Sequence, residues 1–121
     1  MVKIMIVDDE KDLREMINLM MMKEGYQTDM AKDGNEFLEK VDEFQPDLVT
    51  LDVMMPGLTT KEILTQISKK QHKPKIILLT VVKFSPEEKE QILGMSNVVD
   101  YVTKPFDVDA LLSTVKKNLG S

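Results

Sequence analysis

Five short apolar runs recur along the chain at intervals of about 25 residues, and a segment with helical periodicity follows each one. This alternation constrains the fold more than any other feature. The runs are residues 3–7 (KIMIV), 26–31 (YQTDMA), 48–51 (LVTL), 75–79 (KIILL) and 98–102 (VVDYV). Four are short and mostly apolar, the pattern of strands covered on both faces, as in parallel sheets. The second carries Gln27 and Asp29 and reads as a half-exposed edge strand.

The intervening segments repeat their apolar residues at helical spacing. Leu13, Met16, Ile17 and Met20 fall at i, i+3, i+4 and i+7, which makes one apolar face. Leu111, Leu112, Val115 and Leu119 do the same in the last segment. Phe37, Leu38 and Val41 mark a second helix around 35–44, and Ile63, Leu64 and Ile67 a third around 60–70. Residues 59–62 and 85–88 both spell capping boxes, the latter with Pro86 at the first helical position. The fourth helix, 86–95, opens on Glu87, Glu88, Lys89 and Glu90 and offers only Ile92, Leu93 and Met95 for packing. It reads as the least firmly held element. Five β-α units with short connections require a parallel sheet with helices on both faces. The expected fold is α/β: a doubly wound five-stranded parallel sheet, order 2-1-3-4-5, with five helices in one domain over residues 1–121.

Composition narrows the function classes. Absence of cysteine excludes disulfides, thiolate metal sites and a cysteine nucleophile. The single histidine, His72, excludes His-rich metal clusters and leaves little room for a Ser-His-Asp triad; its setting, Lys-Lys-Gln-His-Lys-Pro, reads as solvent-exposed loop. With 16 basic and 21 acidic residues, and Arg14 the only arginine, direct nucleic-acid binding is not expected. No run approaches 18 consecutive apolar residues, so no membrane span is expected. The apolar start meets Asp8, Asp9 and Glu10 with no small-residue cleavage site, unlike a signal peptide, which makes the cytoplasm the default. The ten methionines, including Met20, Met21 and Met22, read as core filler.

In such a sheet, ligands bind outside the carboxyl ends of the strands, where the strand order reverses. Four runs end in chemically capable residues: Asp8-Asp9-Glu10, Asp52, Thr80, and Thr103-Lys104 followed by Pro105. The second ends in a plain turn, 31–34. In the order 2-1-3-4-5, Asp9 and Asp52 stand one strand spacing apart, about 4.8 Å. Lys104 is two strands from Asp52, roughly 10 Å at the backbone, and its side chain can span much of that gap. Two unit charges about 4 Å apart repel by about 4 kcal/mol at an effective dielectric of about 20. One lysine cannot offset three acids. Either one carboxyl is protonated or a hard divalent cation sits there, and an all-oxygen site without His or Cys favours Mg²⁺ or Mn²⁺. Such a site reads as a phosphoryl-transfer centre, where a carboxylate can act as nucleophile and become an acyl phosphate. Asp52, flanked on both sides by other site strands, is the best candidate.

Asp8-Asp9, Asp52 in Asp-Val-Met-Met-Pro-Gly (52–57), Thr80 after Ile-Ile-Leu-Leu, and Tyr101-Val-Thr-Lys104-Pro105-Phe106 together resemble the receiver domain of two-component response regulators. The likeness covers the whole chain. It implies a flavodoxin-like fold and transfer of a phosphoryl group to Asp52 from the phosphohistidine of a histidine kinase or histidine phosphotransfer protein. It also implies Mg²⁺ held by Asp9, Asp52 and the Met54 backbone carbonyl, with Asp8 helping through water. Lys104 would bridge to the phosphoryl group, Thr80 would turn inward to bond it, and Tyr101 would change burial in step with Thr80. The Lys104–Pro105 bond is expected to be cis, and the output face, where a downstream target docks, is the fourth helix, fifth strand and fifth helix. A receiver is a phosphoacceptor that assists its own phosphorylation and dephosphorylation rather than an enzyme in the ordinary sense. No effector domain is expected, so the chain reads as a stand-alone receiver of the chemotaxis or phosphorelay kind, or as a fragment of a longer regulator.

The sequence departs from the family pattern in places. Val81 follows Thr80 where the family usually has Ala or another small residue beside the access path. Met54 and Val82, two residues after Asp52 and Thr80, occupy positions that influence dephosphorylation in the family. With both apolar, slow loss of the phosphoryl group is expected. Three other readings compete. A phosphatase of the Asp-x-Asp type needs an acid where Met54 stands, and a nucleotide or flavin binder needs a glycine-rich loop that this chain lacks. A degenerate receiver, acting as a phosphorylation-independent interaction module, is disfavoured by the intact Asp, Thr and Lys set.

Overall fold

The computed structural model describes residues 1–53, 59–81, 85–94 and 97–119, apart from the side chains of residues 88, 89, 92 and 93. Strands and helices alternate in this order: β1 (Lys3–Val7), α1 (Lys11–Lys23), β2 (Gln27–Ala31), α2 (Gly34–Phe44), β3 (Leu48–Asp52), α3 (Thr60–Ser68), β4 (Lys75–Thr80), α4 (Pro86–Leu93), β5 (Val98–Thr103) and α5 (Val108–Asn118). All strand pairs are parallel and the order is β2-β1-β3-β4-β5, as the sequence pattern requires. No helix among the described residues is long and apolar enough to cross a membrane.

The apolar runs are continuous because the sheet is covered on both faces. In β1, Ile4 and Ile6 join one core cluster with Ile17, Met20 and Met21 of α1 and Leu111 and Val115 of α5. Met5 and Val7 point the other way, into a cluster with Phe37 and Val41 of α2 and Ile63, Leu64 and Ile67 of α3. Every residue of β3 is buried, which fits the central strand, whereas β2 at the edge is buried only at Ala31. Side-chain caps fix the starts of α2, where Asp33 accepts from the Glu36 N–H, and of α3. Thr59 and Glu62 form the expected reciprocal capping box on α3. The second expected capping box, at 85–88, and the packing of Ile92, Leu93 and Met95 lie outside the described residues. Gly25 sits at φ +89°, a conformation that favours glycine, in the turn from α1 into β2.

Three expectations need correction. The buried face of α1 is Ile17, Met20 and Met21, not the stripe through Met16, which is 42% exposed. Met22, taken as filler, is 53% exposed. In a run of three methionines, periodicity cannot say which two face inward. His72 is half-buried rather than solvent-exposed, with its ring Nε2 against the Pro46 carbonyl.

Candidate functional site

The strand register delivers the acids to one rim. Val7 of β1 is paired with Leu51 of β3, so the next residues along, Asp8 and Asp52, emerge side by side at the carboxyl end. Both are buried, Asp8 at 0% and Asp52 at 4% exposure. Asp8 is held by its surroundings: its N–H donates to the Ala31 carbonyl at 3.1 Å, and its Oδ1 accepts from the Glu10 N–H at 2.9 Å. Arg14, in the first turn of α1, donates from Nη1 to the Asp8 carbonyl at 2.8 Å. Asp9 is exposed. One carboxylate oxygen from each of Asp8, Asp9 and Asp52 lies within 4.8 Å of the others.

Lys104 closes the group from the far side. It follows β5 directly, and its N–H donates to the Thr80 carbonyl at 2.6 Å, which extends the β4–β5 ladder by one residue. From there its Nζ reaches 3.3 Å from Asp52 Oδ1 and 3.4 Å from Asp8 Oδ2. The backbone gap estimated from strand spacing is thus spanned by the side chain. The Lys104–Pro105 peptide is cis.

Thr80, fully buried, ends β4 one residue past Leu79, the register partner of Asp52. Val81 follows it and is 58% exposed at the surface. Tyr101 stands apart from the acids, opposite Leu78 within β5, half-buried against the core cluster on the α2–α3 side. Met54 and Val82, and with them the expected carbonyl ligand and two rate-modulating positions, lie outside the described residues.

Charge is unbalanced here. Among the described residues, three carboxylates share one ammonium. Burial pushes the Asp8 carboxyl above its ordinary value of 3.8, the Glu10 N–H opposes that, Asp52 raises it further and Lys104 lowers it. An all-oxygen donor set suits a hard divalent cation. Around a Mg²⁺ ion with octahedral ligands at about 2.1 Å, adjacent donors are about 2.9 Å apart and opposite donors about 4.2 Å. One oxygen from each of the three carboxylates lies within 4.8 Å of the others, the same scale as these separations. The residues fit the ion.

Sequence reasoning missed two features of the rim and one of the strand behind it. Arg14 and the Glu10 N–H both fix Asp8; the signal for the second was the Asp-x-Glu spacing, suited to an Asx turn. The third is Thr50, the one polar residue in LVTL, which is fully buried with its Oγ1 unpaired among the described residues.

The model of the response regulator receiver domain family matches residues 4–116. The chain belongs to that family. Solved receivers share the whole fold. Response regulator protein TrrA from Thermotoga maritima, in complex with Mg²⁺–BeF, is 38% identical, with a TM-score of 0.80 over 97% of this chain and 98% of that one. The chemotaxis protein CheY4 of Vibrio cholerae is 31% identical, with a TM-score of 0.81 over 97% and 98% of the two chains. The receiver domain of the Francisella response regulator 1452 is also 31% identical, with a TM-score of 0.84 over 96% of this chain and 94% of that one. In this receiver the cluster of Asp8, Asp9 and Asp52 fits a phosphoacceptor switch of two-component signalling, and it can hold a divalent cation.

Proposed function

We propose that this receiver accepts a phosphoryl group on Asp52 from the phosphohistidine of a histidine kinase or phosphotransfer protein. The observation that supports this most strongly is the packing of three carboxylates within 4.8 Å, with Lys104 Nζ 3.3 Å from Asp52. A carboxylate oxygen of Asp52 attacks phosphorus, a P–O bond forms and the P–N bond breaks. The electron pair stays on the imidazole nitrogen, which takes up a proton. Asp8, Asp9 and Asp52 would hold Mg²⁺, with the Met54 carbonyl as a further ligand, and the ion when bound supplies charge neutralisation to the transferring group. Lys104, already between Asp8 and Asp52, exchanges a carboxylate partner for a phosphoryl oxygen. Thr80 turns toward the new group and Tyr101 changes its burial with it, shifting the population toward a second arrangement of the last two βα units. That arrangement presents α4, β5 and α5 to a downstream target.

The test is incubation of the receiver with Mg²⁺ and acetyl phosphate, read by intact mass. The expected result is a gain of one phosphoryl group that is lost in Asp52→Asn. A folded chain that gains nothing, or a gain that survives Asp52→Asn, contradicts the proposal. Neither Met54 nor Val82 has a side chain that can hydrogen-bond an attacking water, so the phosphoryl group should persist. Met54→Asn with Val82→Glu should then shorten its lifetime about tenfold or more, and equal lifetimes would refute this part.

A further inference from the structure

Much of the large apolar exposure in the described residues falls on the outer face of α1. Met16 is 42% exposed, Leu19 58% and Met22 53%, and Val108 at the start of α5 adds 44% beside them. Met16, Leu19, Val108 and Leu112 line a shallow groove between the two helices. Scattered apolar residues need no explanation, but a continuous stripe is the mark of an interface.

The charges flanking the stripe identify what it faces. Glu15 and Lys23, both exposed, stand four residues to either side of Leu19, and Met16 and Met22 stand three to either side. Neither Glu15 nor Lys23 has an ion-pair partner among the described residues. The stripe is therefore a palindrome in apolar character with opposite charges at its ends. Lay a second α1 across it antiparallel, with a two-fold axis at Leu19, and each position meets its mirror. Leu19 meets Leu19, Met16 meets Met22, and Glu15 meets Lys23 twice. A parallel pair would set Glu15 on Glu15 and Lys23 on Lys23, and would repel. Two-fold symmetry demands this kind of self-complementarity, and a foreign partner has no need of it.

We infer that α1 is a homodimer seam, in which a second copy of this chain packs antiparallel on Met16, Leu19 and Met22 and pairs Glu15 with Lys23. The helix axes would approach to about 8–10 Å, the usual helix-pair distance. This seam does not depend on phosphoryl chemistry, and it stands or falls separately from the phosphoacceptor reading.

Sedimentation equilibrium on the full chain from micromolar to millimolar concentration tests it. The mass should rise from 13.8 kDa toward twice that value. Leu19→Asp, which sets two like charges on the axis, should abolish association. Because each ion pair occurs twice, Glu15→Lys or Lys23→Glu should each weaken association about tenfold. The double reversal, Glu15→Lys with Lys23→Glu, restores opposite charges and should recover association to within about threefold of the parent. All three positions are exposed, and circular dichroism melts would verify folding. As the chain has no cysteine, Leu19→Cys supplies a single thiol that should form an intermolecular disulfide under mild oxidation, and Lys11→Cys should not. A chain that stays at the monomer mass throughout overturns the proposal, as does a dimer indifferent to Leu19→Asp or a double reversal no better than the singles.

Discussion

The two ends of the sheet use polar residues in opposite ways. At the amino end Lys3, Asp47 and Lys75 are satisfied by backbone. The Lys3 N–H donates to Asp47 Oδ2 at 2.8 Å, the Asp47 N–H donates to the Lys3 carbonyl at 2.7 Å, and the Lys75 N–H donates to the Asp47 carbonyl at 3.1 Å. The Lys3 and Lys75 ammoniums donate to the Phe44 and Asn118 carbonyls. That arrangement stitches β1, β3 and β4 together. At the carboxyl end, the buried carboxylates of Asp8 and Asp52 crowd with Asp9 around one lysine. The first end is built for stability. Among the described residues, the second holds excess negative charge that an added cation or proton would balance.

This contrast can be broken by substitution, read as urea unfolding in metal-free buffer at neutral pH. Lys104→Met removes the one cation that pairs with Asp8 and Asp52 among the described residues and should cost about 3 kcal/mol. Asp52→Asn acts on the same rim with the opposite sign and should stabilise by about 1–2 kcal/mol, because it relieves repulsion. At the amino end, removal of an acid should never stabilise: Asp47→Ala should cost about 1 kcal/mol and leave phosphoryl uptake unchanged. If Asp47→Ala stabilises, or Asp52→Asn destabilises, the contrast fails. Within β3, Thr50→Val replaces an orphaned hydroxyl with a methyl group and should stabilise by about 1 kcal/mol. Destabilisation there would mean that the hydroxyl has a partner.

The pH dependence sharpens the same point. The Asp8 carboxyl is raised above 3.8 in the fold, so between that value and its folded pKa the native state holds more protons than the unfolded one. Stability from this group is full at acid pH and is lost as pH rises through the window. Asp8→Asn removes the loss. The difference in urea midpoint between Asp8→Asn and the parent should be small below pH about 4 and grow in favour of the variant above it. A difference that stays flat with pH would show that Asp8 is not strained.

Much of this was legible in the sequence, for physical reasons. A sheet covered on both faces forces runs such as Ile4 to Val7, and strand order then fixes which residues share a rim. Asp8, Asp9, Asp52 and Lys104 could be grouped from their positions at strand ends, before any side-chain distance was known. What could not be read was rotation and contact. Met20, Met21 and Met22 are equally apolar, so nothing local showed that α1 turns Met16 outward and Met21 inward. Arg14 reaches Asp8 through a carbonyl, and His72 finds Pro46 26 residues away, contacts that only the folded chain creates.

The most direct test of the unbalanced rim is the melting temperature of the metal-free protein, followed as MgCl₂ is added at constant ionic strength and neutral pH. The account predicts that the parent chain gains several degrees and saturates, and that Asp52→Asn starts higher and gains less. A melting temperature indifferent to Mg²⁺ in the parent, or an equal gain in Asp52→Asn, would contradict it.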